Sequence, residues 1–251
     1  MDVGREGVGD QNTLLECGSI EVLGQLANSS NETFLVEVTQ GEAQHWAIYK
    51  PELGERPLRD FPPGLYRRER AAYLLSESLG WGIVPTTVVR DDAPFGPGSL
   101  QWFVDHDPDR HYFALFEEEP ATHDQLRTMA VFDLLANNTD RKAGHVLRGH
   151  RGRLWGIDHG LCFAAPFKLR TVIWDFAGER IDAGLLADVD RLADALAGNP
   201  PGELAGHPTG ELTGHLSRFE VAALRQRIRA VLLEGEFPED PTGMRFPWPL
   251  V

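Results

Sequence analysis

Between Leu126 and Ala136 almost every residue is apolar, and Leu126, Met129, Ala130, Val131, Phe132, Leu134 and Leu135 point round the whole circumference of a helical wheel. A surface helix needs only one apolar stripe, so a helix that is apolar nearly all round must be buried. Thr122-His-Asp-Gln125 has the spacing of a capping box and predicts where that helix begins. The next nine residues are abruptly polar: Asn137-Asn-Thr-Asp140-Arg-Lys142-Ala-Gly-His145. A buried helix that ends in such a loop carries charged and hydrogen-bonding groups to an interior position. Thirteen residues after His145, Trp155-Gly-Ile-Asp158-His-Gly160 sets an acid at a strand end, just before a glycine that lets the chain turn. Two acids held near each other make sense when a cation or a phosphate sits between them.

The remaining pattern is sheet-rich first and helix-rich second. Ser19–Leu26 and Thr33–Thr39 predict strands, the second from alternating Phe34, Val36 and Val38, with the polar turn Ala27–Glu32 between them. His45–Tyr49 predicts a third strand that ends at Lys50-Pro51. A loop over Glu52–Gly64 leads to a helix over Tyr66–Leu79, stopped by Gly80. Val84–Arg90 and Ser99–Val104 predict two more strands. After the buried helix come short strands at Val146–Leu147 and Leu154–Ile157, then helices near Arg180–Leu196 and Ser217–Leu233. The capping box Ser217-Arg-Phe-Glu220 opens the last helix, and Phe237–Val251 reads as an irregular strap. This order suits two lobes with a ligand at their junction.

Bulk properties prune partners. The 251 residues allow one large domain or two small lobes. A net charge of −14 works against nucleic acid and against docking on an anionic membrane. No apolar run approaches a membrane span. Met1–Asp10 is Gly-rich and acidic rather than a signal peptide. Cys17 and Cys162 are too few for a disulfide framework and read as buried fillers, so a cytoplasmic setting is expected. The cluster Arg148, His150, Arg151, Arg153 reads as a solvated hairpin turn, or else as a patch for an acidic substrate.

The two polar motifs carry a resemblance. Asn138-Thr-Asp140-Arg141, followed by Ile157-Asp158-His-Gly-Leu-Cys-Phe163, resembles the catalytic core of the phosphatidylinositol 3-/4-kinase-like superfamily, which shares the protein-kinase architecture and includes HipA-like kinases. Type II phosphatidylinositol 4-kinases carry a similar Asn-Thr-Asp-Arg loop and then Ile-Asp-Asn-Gly-Leu-Ala-Phe. The chain looks like a member of an actinobacterial branch, with the resemblance spanning about Ser19 to Phe167. It implies an α+β, two-lobed protein-kinase-like fold: a β-rich N-lobe over 13–104, a mainly helical C-lobe over 105–251, nucleotide in the cleft, and a disordered start over 1–12. The catalytic loop would be 137–146 and the metal motif 157–160.

The same resemblance implies roles. Asp140 would accept the acceptor hydroxyl's proton, and Lys142 would balance charge on the moving phosphate. Asp158 would hold the metal bridging the β- and γ-phosphates. Lys50 would hold the α- and β-phosphates, with Glu69 as its partner; surface positions are the plain alternative for both. Ser29, Ser30 and Asn31 would cover the phosphates in place of a glycine-rich loop. Gln101, Trp102, Phe103 and Val104 would sit where a hinge meets adenine. ATP with Mg or Mn is the implied cofactor set, and the acceptor is a protein or a soluble small molecule.

One position departs from the family. Five residues after Asp140, where asparagine is usual, stands His145, and imidazole is a poor Mg²⁺ ligand that suits Zn²⁺- or Mn²⁺-like ions. One metal held by Asp158 alone, a preference for Mn²⁺, a direct phosphate contact and a structural histidine all stay open. His159 adds a second imidazole. Three activities fit: ATP-dependent phosphotransfer, nucleotide binding without turnover, and nucleotidyl transfer to protein.

Overall fold

A computed structural model describes residues 8–26, 31–197 and 208–251. It divides into two compact units, the first comprising 1–70 and 85–104 and the second 71–84 and 105–251. The sequence placed a single boundary near 104; the structure instead divides the chain a first time inside the helix at Leu65–Leu79, because the apolar residues from Ala71 onward pack into the second unit's core.

The first unit is a five-stranded antiparallel sheet in the order β1-β2-β3-β5-β4, formed by Ser19–Gln25, Phe34–Gln40, Ala43–Pro51, Gly98–Trp102 and Thr87–Arg90 respectively. One face buries Val36, Val38, Ala47, Tyr49, Val88 and Leu100. Leu14 and Leu15 of helix α1, Val8–Cys17, complete that cluster. Residues 8–12 are therefore helical where the sequence reading expected disorder through 12. The reason is tertiary: two leucines close the open face of a sheet. Cys17, at the end of α1, is exposed rather than buried. Arg90 reaches from β4 to the carbonyls of Leu15 and Gly18 at 2.9 and 3.1 Å and fastens the helix end.

The second unit is built round α4, His123–Ala136. Leu126, Met129, Val131, Phe132 and Leu135 are fully buried, as the all-round pattern requires. Thr122 occupies the N-cap position without a side-chain cap. Its hydroxyl donates instead to the carbonyl of Glu119 at 2.7 Å, because the preceding turn at Pro120–Thr122 already supplies that acceptor. Helix α7, Arg218–Glu234, keeps its capping box, with both the Ser217 and the Glu220 contacts made. Helix α2 is Leu65–Leu79, and α5 is Ala183–Ala197. Two short helices escaped the sequence reading: α3 at Tyr112–Glu118 and α6 at Pro208–Gly214. Strands β6, Val146–Arg148, and β7, Leu154–Gly156, form a hairpin. Its basic residues are largely solvated, as read: His150, Arg151 and Arg153 are exposed, Arg153 lying 4.0 Å over the Trp155 ring, while Arg148 bonds Glu119 at 2.8 Å. The segment from Phe237 is an irregular strap. The N–H of Ala143 donates to the carbonyl of Leu250 at 2.7 Å, and that of Thr171 to the carbonyl of Arg245 at 3.2 Å.

Candidate active site

In the second unit, α4 stops because Asn137 turns left-handed, at φ 50°, and its N–H returns to the carbonyls of Asp133 and Leu134. The Asn137 amide holds the carbonyls of Ala164 and Pro166. Asn138 donates to Asp133 Oδ1 and accepts from the N–H of Asp140, both at 3.0 Å. The loop is thus clamped by its own amides before the acid is reached. Four of the residues singled out from sequence then come together. Lys142 Nζ lies 3.1 Å from Asp140 Oδ2, and His145 Nε2 lies 3.2 Å from Asp158 Oδ2.

Electrostatics separate the two acids. Burial pushes the Asp140 carboxyl above the ordinary carboxylate range; Lys142 pulls it back, and the negative charge of Asp158 pushes it up again. Asp158 is 46% exposed and adopts φ 60°, a left-handed backbone that aspartate tolerates better than most residues. His145 Nδ1 sits 2.9 Å from the Asp140 carbonyl, with the N–H of Lys142 further off at 3.4 Å. Protonated, Nδ1 donates to the Asp140 carbonyl and turns the Nε2 lone pair to Asp158, as a shared ion requires; the other tautomer accepts the Lys142 N–H and donates from Nε2 to Asp158. Two bonds of about 2.1 Å at right angles separate their donor atoms by about 3.0 Å, so a nitrogen and a carboxylate oxygen at this spacing fit one transition-type ion. Among the described residues no group of three or more His, Cys, Asp or Glu forms a metal cage, so any such ion would complete its shell with phosphate and water.

His159 does not join this pair. It is fully buried, and its Nε2 accepts from Arg141 Nη2 at 2.8 Å. Arg141 and Asp133 are what sequence reasoning missed. Asp133 is the only charged residue in the last eight of α4, 1% exposed, and it binds the Arg141 guanidinium in a fork with contacts of 2.9–3.2 Å. The signal was present: one acid inside an apolar helix, and an arginine next to the loop acid, demand each other as partners.

In the first unit, Lys50 on β3 and Glu69 on α2 make an ion pair at 2.5 Å, with Glu69 only 3% exposed, so neither plain surface alternative describes them. Asn31 accepts from the N–H of Arg56 at 3.0 Å and borders an open polar hollow of about 270 Å³ with Gln25, Glu32 and Arg56. Ser29 and Ser30 lie outside the described residues. Gln101 turns into the sheet and donates to Thr87 Oγ1 at 2.9 Å. The N–H groups of Trp102 and Phe103 are engaged by the carbonyls of Thr86 and Trp46, at 2.8 and 3.1 Å, and the Phe103 carbonyl meets His45 Nε2 at 3.2 Å. Sequence reasoning also passed over the face beside Lys50. Ile48, two residues earlier, shares it, Leu35 lies directly across on β2, and Gly24 across again on β1. A Cβ built at Gly24 would meet nothing within 4 Å, and Leu35 and Ile48 are only partly buried.

A family model described as phosphatidylinositol 3- and 4-kinase matches residues 63–185, from the start of α2 through both polar motifs. Protein Rv2133c of Mycobacterium tuberculosis is 40% identical over 96% of this chain and 95% of its own length. The chain belongs to the phosphatidylinositol 3-/4-kinase-like superfamily, in the branch that includes Protein Rv2133c. The solved structures it resembles are kinase folds at low identity. The Golgi casein kinase with Mn/ADP bound has a TM-score of 0.53 at 13% identity, covering 97% of this chain and 80% of the other. Hydra Fam20 with sugar gives 0.52 at 15%, covering 88% and 87%. The Helicobacter pylori proinflammatory kinase CtkA gives 0.51 at 11%, covering 89% and 94%. The fold of this kinase-like chain is thus α+β and protein-kinase-like, and its general class is phosphotransfer. Among the described residues no helix is long and apolar enough to cross a membrane.

Proposed function

We propose that the chain moves the γ-phosphate of ATP to a hydroxyl of a protein or a soluble small molecule. The observation that carries this is the convergence of Asp140, Lys142, His145 and Asp158 round one clamped loop. Asp140 orients the acceptor hydroxyl and takes its proton; burial makes it a stronger base than an exposed aspartate. Lys142, held beside it, offsets negative charge on the phosphate in transfer. Asp158 with His145 Nε2 would hold a divalent ion, and the imidazole favours Mn²⁺ over Mg²⁺. Bound there, such an ion would supply charge neutralisation on the β- and γ-phosphates. A structural neighbour was solved with Mn/ADP bound, which agrees with this choice.

The first unit would supply the nucleotide's remaining contacts. Lys50, fixed by Glu69, would take the α- and β-phosphates, and the turn at Ser29, Ser30 and Asn31 would lie over them. Leu35 and Ile48 offer a flat apolar row for a base. Within Gln101–Val104, proposed to meet the base, the N–H groups of Trp102 and Phe103 are engaged by the carbonyls of Thr86 and Trp46.

Incubation with γ-labelled and, separately, α-labelled ATP in Mg²⁺, Mn²⁺ or chelator tests the reading. Transfer of γ-label, stronger in Mn²⁺ and lost in Asp140→Ala, is expected. α-Label would mean nucleotidyl transfer, and tight ATP binding with neither label would mean a nucleotide-binding module without turnover.

A further inference from the structure

Arg141 is fully buried, and its guanidinium is shared among four partners. Nε and Nη2 grip Asp133, Nη2 also meets His159 Nε2, and Nη1 donates to the carbonyls of His145 at 3.1 Å and Ile157 at 3.0 Å. The last two contacts matter most. The Ile157 carbonyl belongs to the peptide whose other half sets φ of Asp158, and that φ is +60°. Left-handed backbone at a non-glycine residue is disfavoured and persists only where its surroundings hold it. The His145 carbonyl also accepts from the N–H of Ile157 at 3.0 Å, so the ends of the two motifs are tied both to each other and to one guanidinium.

We propose that Arg141 is a positioning residue that locks the Ile157–Asp158 peptide and so holds the Asp158 carboxylate against His145 Nε2 for metal binding. Without the fork, the peptide is released to rotate to negative φ, and the carboxylate swings away from the imidazole. Lysine cannot replace it: a single ammonium nitrogen lacks the planar span by which Nε, Nη1 and Nη2 reach Asp133, His159 and two carbonyls at once. Gly156 belongs to the same device. A Cβ there would stand 3.2 and 3.4 Å from Arg141 Nη2 and Nη1 and 3.5 Å from His159 Nε2, so an added methyl crowds the guanidinium by a few tenths of an ångström without removing it. The inference rests on the proposed metal-dependent reading of Asp158 and His145.

The test measures binding rather than turnover. Mn²⁺ is titrated in the presence of the non-hydrolysable analogue AMP-PNP, free Mn²⁺ is followed by electron paramagnetic resonance, and melting is recorded on the same samples. Arg141→Lys and Gly156→Ala are each expected to weaken Mn²⁺ binding by about 10–100-fold, the range found when outer-shell partners of a metal site are removed. A crystal structure of Gly156→Ala is expected to show the 157–158 peptide rotated. If Arg141→Lys does not fold, Gly156→Ala alone decides. Wild type that binds Mn²⁺ beside a folded Gly156→Ala that binds within twofold overturns the positioning role and leaves the phosphotransfer reading intact. Wild type that binds no Mn²⁺ with AMP-PNP overturns both.

Discussion

Burial acts on Asp140 in two ways: it opposes folding at neutral pH and suits the base role proposed for it. Burial raises its pKa, so the folded protein holds the carboxyl proton more tightly than the unfolded chain does. Such a group favours folding below its unfolded pKa, and that contribution is lost as pH rises through the higher folded value. At neutral pH the ionised Asp140 therefore costs stability. Asp140→Asn is expected to lose about 10²–10⁴-fold in label transfer, the usual worth of a positioned base. The same variant should melt above wild type at pH 7, with the gap closing as pH falls into the carboxylate range. A variant that melts below wild type at pH 7 would show that losing the Lys142 ion pair outweighs relief from burial. Asp133 is the opposite case. Its carboxylate is buried but saturated by Arg141, so Asp133→Ala leaves a buried cation without its counter-ion and is expected to cost about 3–5 kcal/mol in urea unfolding.

At the scale of elements, caps and neighbours decide which helices can be read in advance. Helices α2, α4 and α7 were legible because each combines an apolar pattern with an end signal, and α7 makes both capping-box contacts. Ser217→Ala is expected to cost about 1 kcal/mol, measurable by urea titration; a change under about 0.3 kcal/mol would mean that α7 is held by packing alone. Arg227 of α7 donates through Nε to the carbonyl of Leu135 at 2.8 Å, so a neighbouring helix satisfies the end of α4 just before the Asn137–His145 loop. Burial lowers the Arg227 pKa to about 10, still charged at neutral pH. Helices α1, α3 and α6 were not legible. The α6 sequence Pro-Thr-Gly-Glu-Leu-Thr-Gly has weak helix propensity, and only burial of Thr209 and Leu212 makes it helical. Residues 10–17 of α1 carry two buried leucines, too few to show a period.

For the whole molecule, the residues with proposed roles lie in both units: Lys50 and Glu69 in the first, and Asp140, Lys142, His145 and Asp158 in the second. Binding to the folded state alone stabilises by mass action, so Mn²⁺ with AMP-PNP at a hundredfold over Kd should add about 2.7 kcal/mol. Calorimetry is expected to show that gain shrink in both Lys50→Met and Asp158→Asn, one variant from each unit. Full stabilisation retained in Asp158→Asn would remove that residue from the nucleotide–metal site. The net charge of −14 adds an expectation for the acceptor: at low salt, cationic acceptors are drawn in and anionic ones repelled.

The kinase-like class came from a resemblance to a known superfamily; the buried helix and the two polar motifs could be read from the chain alone. They depend on local order: an apolar circumference, a capping spacing, an acid before a glycine. The partners of those motifs could not. That Arg141 turns inward to Asp133, that His159 serves Arg141 while His145 faces Asp158, and that Lys50 reaches a buried Glu69 depend on residues brought together from as many as nineteen positions apart. Buried charges must find counter-charges wherever the fold supplies them, and only the packed chain determines which pairs form.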